Sequence, residues 1–391
     1  MGPLLLVGFA ESLSAPEVVF SLLNAGYRLR MFARKGRTSR LARTVGAEIV
    51  EITAPETDIA AAQQDLVAAC KGVDGIFALD DVSLRLCADI AGQTPDIRHI
   101  HATGDSAEVA LNKETQLRVA RAAGLSVPDG LILHTPADLP QSHPVPAIVK
   151  PMHAVETVQG RITKGDVHYL MTREDVQNLR EADALPGPLI VQPLIHGVGE
   201  GVFGHATPTG VVQWSGHRRL RMMNPHGSGS SACEVLEPDP VLRGKIEQLM
   251  RDLAWRGPFM IELLRDAQGT AWFMELNGRV WGSMALARRN GLDYPAWAAA
   301  SAWEPDFQPQ RGPQRRQSVR HLGREILHLL FLVKGPKTAF HRANWPRLSQ
   351  SLLGVFRPGK AAGFYNYDPA HRFFFLADAW DTVASALKRR R

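Results

Sequence analysis

Cysteine is scarce in this chain, which carries Cys70, Cys87 and Cys233 among its 391 residues. Their odd number and wide spacing fit neither a disulfide framework nor a zinc site, so we expect a reducing, cytoplasmic location. A run of about 18 apolar residues is also lacking, so no membrane-spanning helix is expected. The short apolar stretch at 1–8 has no basic segment and predicts a buried first strand instead of a signal peptide.

The first hundred residues lack the G-x-G-x-x-G motif, so no dinucleotide site is predicted there. Short apolar runs alternate in this region with helical patterns, which indicates a parallel α/β sheet. The predicted strands are Leu4–Phe9, Gly26–Ala33, Glu48–Ile52 and Gly75–Leu79, and the predicted helices are Pro16–Asn24 and Ile59–Cys70.

Acidic residues are few near the end of the chain, where 311–391 carries 16 basic and 4 acidic residues. We interpret this region as a solvated surface or a patch for an acidic substrate, and we expect no nucleic-acid partner. Its apolar stretch Arg324–Lys334 suits packing on the rest of the protein, which we favour, or contact with an anionic membrane surface.

Two apolar runs, 259–265 and 270–277, flank a Gly-containing turn and are typical of a β-hairpin. A loop of two residues or of four puts Glu262 opposite Phe273. Because side chains alternate between faces, Glu275 then shares the face of Glu262 as its diagonal neighbour, roughly 7–8 Å away at the backbone. The opposite, buried face is expected to carry Ile261, Leu263, Met274 and Leu276.

Two carboxylates within apolar strands are costly to bury without compensation. A divalent cation with oxygen ligands supplies it, and Mg²⁺ typically combines one or two carboxylates with phosphate oxygens. Asn277 shares the same face if the strand continues. The alternative is a solvated face on which Glu262 and Glu275 meet Arg265 or Arg279, and spacing by itself favours neither.

The segments around this hairpin resemble those of the ATP-grasp superfamily, in particular its carboxylate–amine ligase branch. Residues 217–234, HRRLRMMNPHGSGSSACE, are similar to its H-R-R-L-R-E-x-P-x-x-G-G-x-S-x-x-x-E segment, and 274–283, MELNGRVWGS, to its M-E-I-N-P-R-F-W-G-S. Further similar segments, in the family's order, are Asn112-Lys113, Ile148–Pro151, Val191–Gly197 and Ile261–Leu263.

The resemblance implies an α/β chain built from three parts. An N-terminal parallel α/β (pre-ATP-grasp) domain is expected at 1–105. A two-lobed α+β ATP-grasp domain follows at 106–305, with lobes of about 106–187 and 188–305. A basic C-terminal segment, 306–391, is expected to pack on this core.

The resemblance also implies residue roles. Glu262, Glu275 and Asn277 would hold Mg²⁺, or Mn²⁺ as an alternative, against the phosphates of ATP. Lys113 and Lys150 would contact phosphate oxygens. The adenine would meet the hinge residues Gln192, Pro193, Leu194 and Ile195, and the ribose would meet Glu200. The catalytic arginines would be Arg279, Arg219 and Arg221.

The chain departs from the family pattern in two places. The Gly-rich loop that often follows the second lysine is replaced by 151–157, PMHAVET, so the phosphate-covering role passes to Gly227, Ser228 and Gly229. Backbone N–H groups in such a loop can cradle anions, and an ordinary surface loop is the alternative. Gly278 and Met222 also replace a usual proline and a common glutamate.

The implied activity joins a small carboxylic acid to an amine through an acyl phosphate and releases ADP and phosphate. The expected partners are these two small substrates, and a homodimer is compatible with the sequence. Two alternatives stay open, a small-molecule kinase on the same fold and a catalytically silent nucleotide-binding protein. No motif in the sequence selects the acid or the amine.

Overall fold

The protein is described here by a computed structural model. The described residues are 2–37, 39–185, 187–227, 229–337, 339–357, 359 and 362–388.

The N-terminal region forms the predicted parallel α/β sheet, with strand order β3-β2-β1-β4-β5. Leu5 and Val7 of the first strand face one core cluster and Leu6 faces another, which explains the apolar run at the start of the chain. The first and last residues of each predicted element lie within two residues of those observed. The elements are β1 (Leu4–Gly8), α1 (Ala15–Asn24), β2 (Arg28–Arg34), α2 (Arg40–Val45), β3 (Glu48–Ile52), α3 (Ile59–Ala69), β4 (Gly75–Ala78), α4 (Asp81–Ile90) and β5 (Arg98–His99).

The next region contains a four-stranded antiparallel sheet, ordered β10-β7-β11-β6, and a separate two-stranded hairpin. The last strand of this region pairs within the four-stranded sheet. The chain therefore leaves this sheet at 194–197 and not at the expected lobe boundary of 187/188. The elements are α5 (Gly104–Leu111), α6 (Lys113–Ala122), β6 (Leu131–Leu133), β7 (Ala147–Pro151), β8 (Glu156–Val158), β9 (Arg161–Thr163), β10 (His168–Leu170), α7 (Arg173–Arg180) and β11 (Leu189–Pro193).

A large, mainly antiparallel sheet of seven strands follows, and helices connect several of its strands. Its strand order is β16-β15-β12-β13-β14-β17-β18. Val202 and Ile261 lie in one core cluster and Phe203 and Met260 in another, so both faces of the sheet are covered. The elements are β12 (Val198–Thr207), β13 (Gly210–Met222), β14 (Ser230–Val235), α8 (Pro240–Asp252), β15 (Gly257–Arg265), β16 (Ala271–Asn277), α9 (Met284–Arg289) and α10 (Tyr294–Trp303).

The C-terminal segment extends this large sheet. Its first strand pairs antiparallel with β14 and its second strand pairs parallel with the first. Its longer helices pack on one another and on β14, so the segment is built onto the sheet. None of the described helices has the length and apolarity needed to cross a membrane. The elements are β17 (Ser318–Arg320), α11 (Leu322–Lys334), α12 (Ala339–Ala343), α13 (Leu348–Phe356), β18 (Ala362–Phe364) and α14 (Phe374–Lys388).

Candidate active site

The β15–β16 hairpin places Glu262 directly opposite Glu275. The predicted pairing of Glu262 with Phe273 is therefore wrong. The first reason is the length of the turn, which was expected to be two or four residues. The loop has three residues, and the Asp266 N–H closes it by donating to the Thr270 carbonyl oxygen at 3.0 Å. Gly269 adopts a φ of +87°, the left-handed conformation that such a loop requires.

A β-bulge shifts the hairpin register a second time. Leu263 pairs with Phe273 and Glu262 pairs with Glu275, so Met274 is the extra residue. Phe273 is consequently 1% exposed and lies in the core, away from Glu262. The prediction that the two glutamates share a face is confirmed, and they are direct rather than diagonal neighbours.

Two glycines of β12 leave room for the side chains of the neighbouring strands. Gly201 pairs with His217 on one side and Glu262 on the other. A Cβ at Gly201 would lie 3.1 Å from His217 Nε2, and a Cβ at Gly199 would lie 2.6 Å from Arg219 Cδ. The two glycines therefore leave the space that is taken by His217 and Arg219, which both line a cleft.

The two predicted phosphate-binding lysines lie within electrostatic reach of these glutamates. Burial raises the pKa of Glu275, and the charge of Glu262 acts in the same direction while that of Lys113 opposes it. Burial lowers the pKa of Lys150, whereas the charges of Glu275 and Glu262 raise it. The Lys113 N–H donates to the carbonyl oxygen of Met152 at 2.9 Å, which ties the two lysine segments together.

Arg279 is held by a carboxylate that the sequence analysis did not select. Its Nε donates to Asp81 Oδ1 at 3.0 Å. Burial alone would raise the pKa of Asp81, but the charge of Arg279 and its hydrogen bond bring the pKa below the usual value. Asp81 begins α4 just after β4, and acidic residues at the carboxyl end of a parallel strand are the signal that would have found it.

The other two predicted catalytic arginines are separated by the structure. Arg219 forms an ion pair with Glu262 and lines the cleft. Arg221 pairs instead with the buried Glu325 of α11, at 2.6 Å between Nη2 and Oε2. A register shift between these two arginines in the β13–β14 pairing breaks the alternation that the sequence analysis assumed.

The predicted adenine hinge lies where β11 ends. Gln192 is buried, its Oε1 accepts from Lys150 Nζ at 3.4 Å, and its Nε2 donates to the Pro128 carbonyl oxygen at 3.2 Å. Pro193 is the last residue of β11 and is exposed, and Leu194 and Ile195 follow it in the linking segment.

Glu200 lies on β12 beside this hinge. It is fully buried, and its two oxygens accept from Arg218 and Arg265. Because it alternates with Gly201, which pairs with Glu262, its side chain is on the face of the sheet opposite Glu262.

The predicted phosphate-covering loop bridges two sheets. Ser228 lies outside the described residues. Gly227 adopts a φ of +129°, and its N–H donates to the Asn224 carbonyl oxygen at 3.0 Å. Tyr169 of β10 donates to the carbonyl oxygen of His226 at 3.1 Å, so the loop contacts the four-stranded sheet. Gly229 lines the cleft at the other end of the loop.

The cleft has a volume of about 200 Å³, and its walls come from separate parts of the chain. Several of its residues were not singled out from the sequence. His217, Trp281 and Ser283 lie inside the family-like segments, so a closer inspection of those motifs would have selected them. Leu13, Arg324 and Tyr365 lie outside every recognised motif and come together only through the fold.

The proposed metal ligands suit a hard divalent cation. Glu262 and Glu275 face each other, and burial, together with the charges of Asp81 and Glu262, raises the pKa of Glu275; a bound cation would offset this cost of holding the carboxylate ionised. Asn277 is 4% exposed, and its Nδ2 donates to Met260 Sδ at 3.0 Å, which leaves its amide oxygen as an acceptor. Within the described ranges, no cluster of three or more His, Cys, Asp or Glu side chains is arranged as a metal site.

No protein-family model and no curated protein matches the chain. Solved structures do match. The L-amino acid ligase from Bacillus licheniformis is 16% identical with a TM-score of 0.62, over 80% of this chain and 78% of that one. The ADP complex of the PurK N5-carboxyaminoimidazole ribonucleotide synthetase is 13% identical with a TM-score of 0.64, over 85% and 86%. The β-γ-ATP complex of biotin carboxylase from Campylobacter jejuni is 15% identical with a TM-score of 0.62, over 79% and 72%. The chain has the ATP-grasp fold that the resemblance predicts.

Proposed function

We propose that the protein is an ATP-dependent ligase that joins a small carboxylic acid to an amine and releases ADP and phosphate. One observation carries this proposal: Glu262 and Glu275 pair directly at a cleft, within electrostatic reach of Lys113 and Lys150. The similar structures of PurK, in complex with ADP, and of biotin carboxylase, in complex with β-γ-ATP, support a nucleotide at such a site.

The proposed metal ligands are Glu262, Glu275 and Asn277, and Mg²⁺ is the preferred ion, with Mn²⁺ as the alternative. When bound, the ion would supply charge neutralisation to the ATP phosphates. Lys113 and Lys150 would add positive charge at the phosphate oxygens. Both lysines are suited to this because compact ammonium groups act as point charges toward phosphate.

The remaining nucleotide contacts follow from the hinge and the loops. The backbone of 192–195 would meet the adenine. Glu200, expected from the sequence to meet the ribose, is buried on the opposite face of β12 from Glu262 and pairs with Arg218 and Arg265, so we do not place it at the ribose. The loop containing Gly227, Ser228 and Gly229 would cover the phosphates with backbone N–H groups.

In the first step, an oxygen of the substrate carboxylate attacks the γ-phosphorus, and the bond from that phosphorus to the ADP oxygen breaks. The product is an acyl phosphate. The planar guanidinium of Arg279, fixed by Asp81, would hold the reacting carboxylate and then the acyl phosphate.

In the second step, the amine attacks the acyl carbonyl carbon, the bond from that carbon to the phosphate oxygen breaks, and the amine loses a proton. Arg219 would stabilise the leaving phosphate once the ion offsets its present partner, Glu262. Arg221 would act indirectly, by holding α11 through Glu325.

The test is a screen for ADP release with Mg-ATP against small acids and amines, singly and in pairs. We expect ADP only with a matching acid–amine pair and a product whose mass equals their sum less one water. ADP formation with a single compound that becomes phosphorylated would instead identify a kinase. If no pair in a broad screen releases ADP although ATP binds, the chain is a silent nucleotide-binding protein.

A further inference from the structure

Within the part of the chain that the structure describes, one arginine of the cleft has no acidic partner. Arg219 pairs with Glu262 and Arg279 pairs with Asp81, but Arg324 of α11 has no carboxylate within ion-pair distance among the described residues. Its Nη1 donates to the carbonyl oxygen of Ser230 at 3.0 Å.

The partial burial of Arg324 has an electrostatic consequence. Burial lowers the pKa of its guanidinium, and the electrostatic influence of Tyr365 and Asp378 opposes this lowering only in part. Asp378 is already engaged, since its Oδ2 accepts from Asn366 Nδ2 at 2.8 Å and lies 3.1 Å from His321 Nε2. Arg324 is therefore a cation whose charge the surrounding protein compensates incompletely.

The cleft also presents buried N–H donors without acceptors. Arg219 Nε and Trp281 Nε1 are buried and have no hydrogen-bond partner in the part of the chain that is described. Both groups can only donate. His217 Nε2 is buried without a partner as well, while its Nδ1 contacts Ser283 Oγ at 2.6 Å. A ligand rich in acceptor oxygens would complement these donors.

Arg324 is held in place by the anchoring of its helix. The neighbouring residue Glu325 is 1% exposed and accepts from Arg221, and His328 Nδ1 contacts the Met222 carbonyl oxygen at 2.7 Å. Both contacts fasten α11 to β13. Little ordering is required when a ligand binds, so Arg324 is prepared for an anion.

Arg324 lies apart from the charges that dominate the reaction centre. The charges acting on Glu275 are those of Lys113, Asp81, Glu262 and Arg279. Arg324 instead contacts the strand that follows the 227–229 loop, on the side of the cleft formed by the C-terminal segment. A group bound to Arg324 would therefore be separate from the reacting carboxylate that we assign to Arg279.

We infer that Arg324 binds a carboxylate that remains intact through the reaction and is carried by one of the two substrates. This inference rests on the proposed ligase function. Two sources supply the same chemistry: the acid is a dicarboxylic acid, or the amine is an amino acid with a free α-carboxylate. The planar guanidinium suits either, because it can donate two parallel hydrogen bonds to a carboxylate.

The test uses the acid–amine pair found by ADP release and has two arms. One arm compares a dicarboxylic acid with its monoamide at a fixed amine, and the other compares an amino acid with its amide at a fixed acid. In the arm whose substrate carries the carboxylate bound by Arg324, we expect the KM of the amide to exceed that of the carboxylate form at least about tenfold. Arg324→Gln should raise the KM of the carboxylate form by a similar factor and leave the KM of ATP unchanged.

Two further variants separate recognition from structure. Arg324→Lys keeps the charge and should restore part of the affinity, while Arg315→Gln removes an exposed charge from the same segment and should change no KM. Equal KM values for acid and amide in both arms, or an unchanged KM in Arg324→Gln, would overturn the inference while ADP release still supports the ligase.

A binding measurement covers the case in which no pair releases ADP. Calorimetry with succinate and with alanine then compares the wild-type protein with Arg324→Gln. Binding that weakens at least tenfold in the variant supports the carboxylate site on its own. If neither compound binds, or if both proteins bind it equally well, the inference of a carboxylate site at Arg324 is overturned. This outcome is independent of whether the proposed ligase function fails.

Discussion

At the scale of single residues, the cleft is defined by carboxylates and arginines that come from distant positions. Asp81 follows a strand of the N-terminal sheet, while Arg279 follows the hairpin that carries Glu275. Each such contact fixes the orientation of a group that the proposed reaction needs. Substitutions at these positions should therefore affect turnover more than folding.

Glu275→Gln should abolish ADP release, by a factor of at least about 100, because a preorganised charge next to the phosphates is lost. The variant should melt no lower than the wild-type protein, since burial raises the pKa of Glu275 and removing its charge relieves that burial cost. ADP release and thermal melting check both statements. The exposed Glu237→Gln is the matched control, and near-normal turnover of Glu275→Gln would refute the metal assignment.

Asp81→Asn should reduce kcat/KM on the order of tenfold, because the amide holds the Arg279 guanidinium less firmly than the carboxylate does. Asp81 acts by positioning Arg279, so Asp81→Glu should recover part of the activity. Steady-state kinetics measure the effect, with Asp96→Asn as an exposed control. Equal kcat/KM for Asp81→Asn and the wild-type protein would show that the pair has no role in turnover.

At the scale of elements, the sequence predicts the hairpin and its glutamate face but not its register. Alternation places Glu262 and Glu275 together whichever of the two expected loops is chosen. The register depends instead on the length of the loop, which is three residues, and on a bulge at Met274. The amino-acid composition of the turn does not distinguish a three-residue loop from one of two or four residues, and it does not reveal the bulge. The parallel sheet was easier to predict, since apolar runs such as Leu4–Gly8 are buried on both sides.

Gly201→Val should displace His217 and Met260, which line the cleft, while β12 stays paired in the sheet. The new Cβ would lie 2.8 Å from Phe203 Cε1 and 3.1 Å from Met260 Cε, so these side chains must move. We expect a rise in the KM of the acid of about tenfold and a loss of stability of about 1–3 kcal/mol. Kinetics and chemical denaturation measure the two effects.

The matched control is Gly244→Val on α8, where an added Cβ meets nothing within 4 Å. It should leave both the KM of the acid and the stability nearly unchanged. An unchanged KM in Gly201→Val would mean that the side of the cleft lined by His217 and Met260 lies away from the acid.

At the scale of the whole molecule, buried ion pairs join parts that are far apart in the chain. Glu17 of α1 is 1% exposed and accepts from Arg288 and Arg289 of α9 and from the backbone N–H of Asn366. One carboxylate thus links the N-terminal sheet, the large sheet and the C-terminal segment. No local sequence pattern predicts such a contact, because the residues around Glu17 do not specify a partner about 270 residues away. The same reason kept Arg324 out of the predicted site.

Glu17→Gln should lower the free energy of unfolding by about 3 kcal/mol at pH 7, because it leaves buried arginines without their carboxylate. Burial would raise the pKa of Glu17, but Arg289 and Arg288 bring it below its usual value. The stabilisation is therefore complete above the unfolded pKa of about 4.3 and is lost as the pH falls through the lower folded pKa. Chemical denaturation of the wild-type protein and of Glu17→Gln should show that the difference between their free energies of unfolding is smaller at pH 3 than at pH 7.

The control Glu48→Gln removes an exposed partner of Arg30 and should lower the free energy of unfolding by about 0–1 kcal/mol. A Glu17→Gln cost as small as that of Glu48→Gln, or equal at both pH values, would mean that this carboxylate does not hold the three parts together.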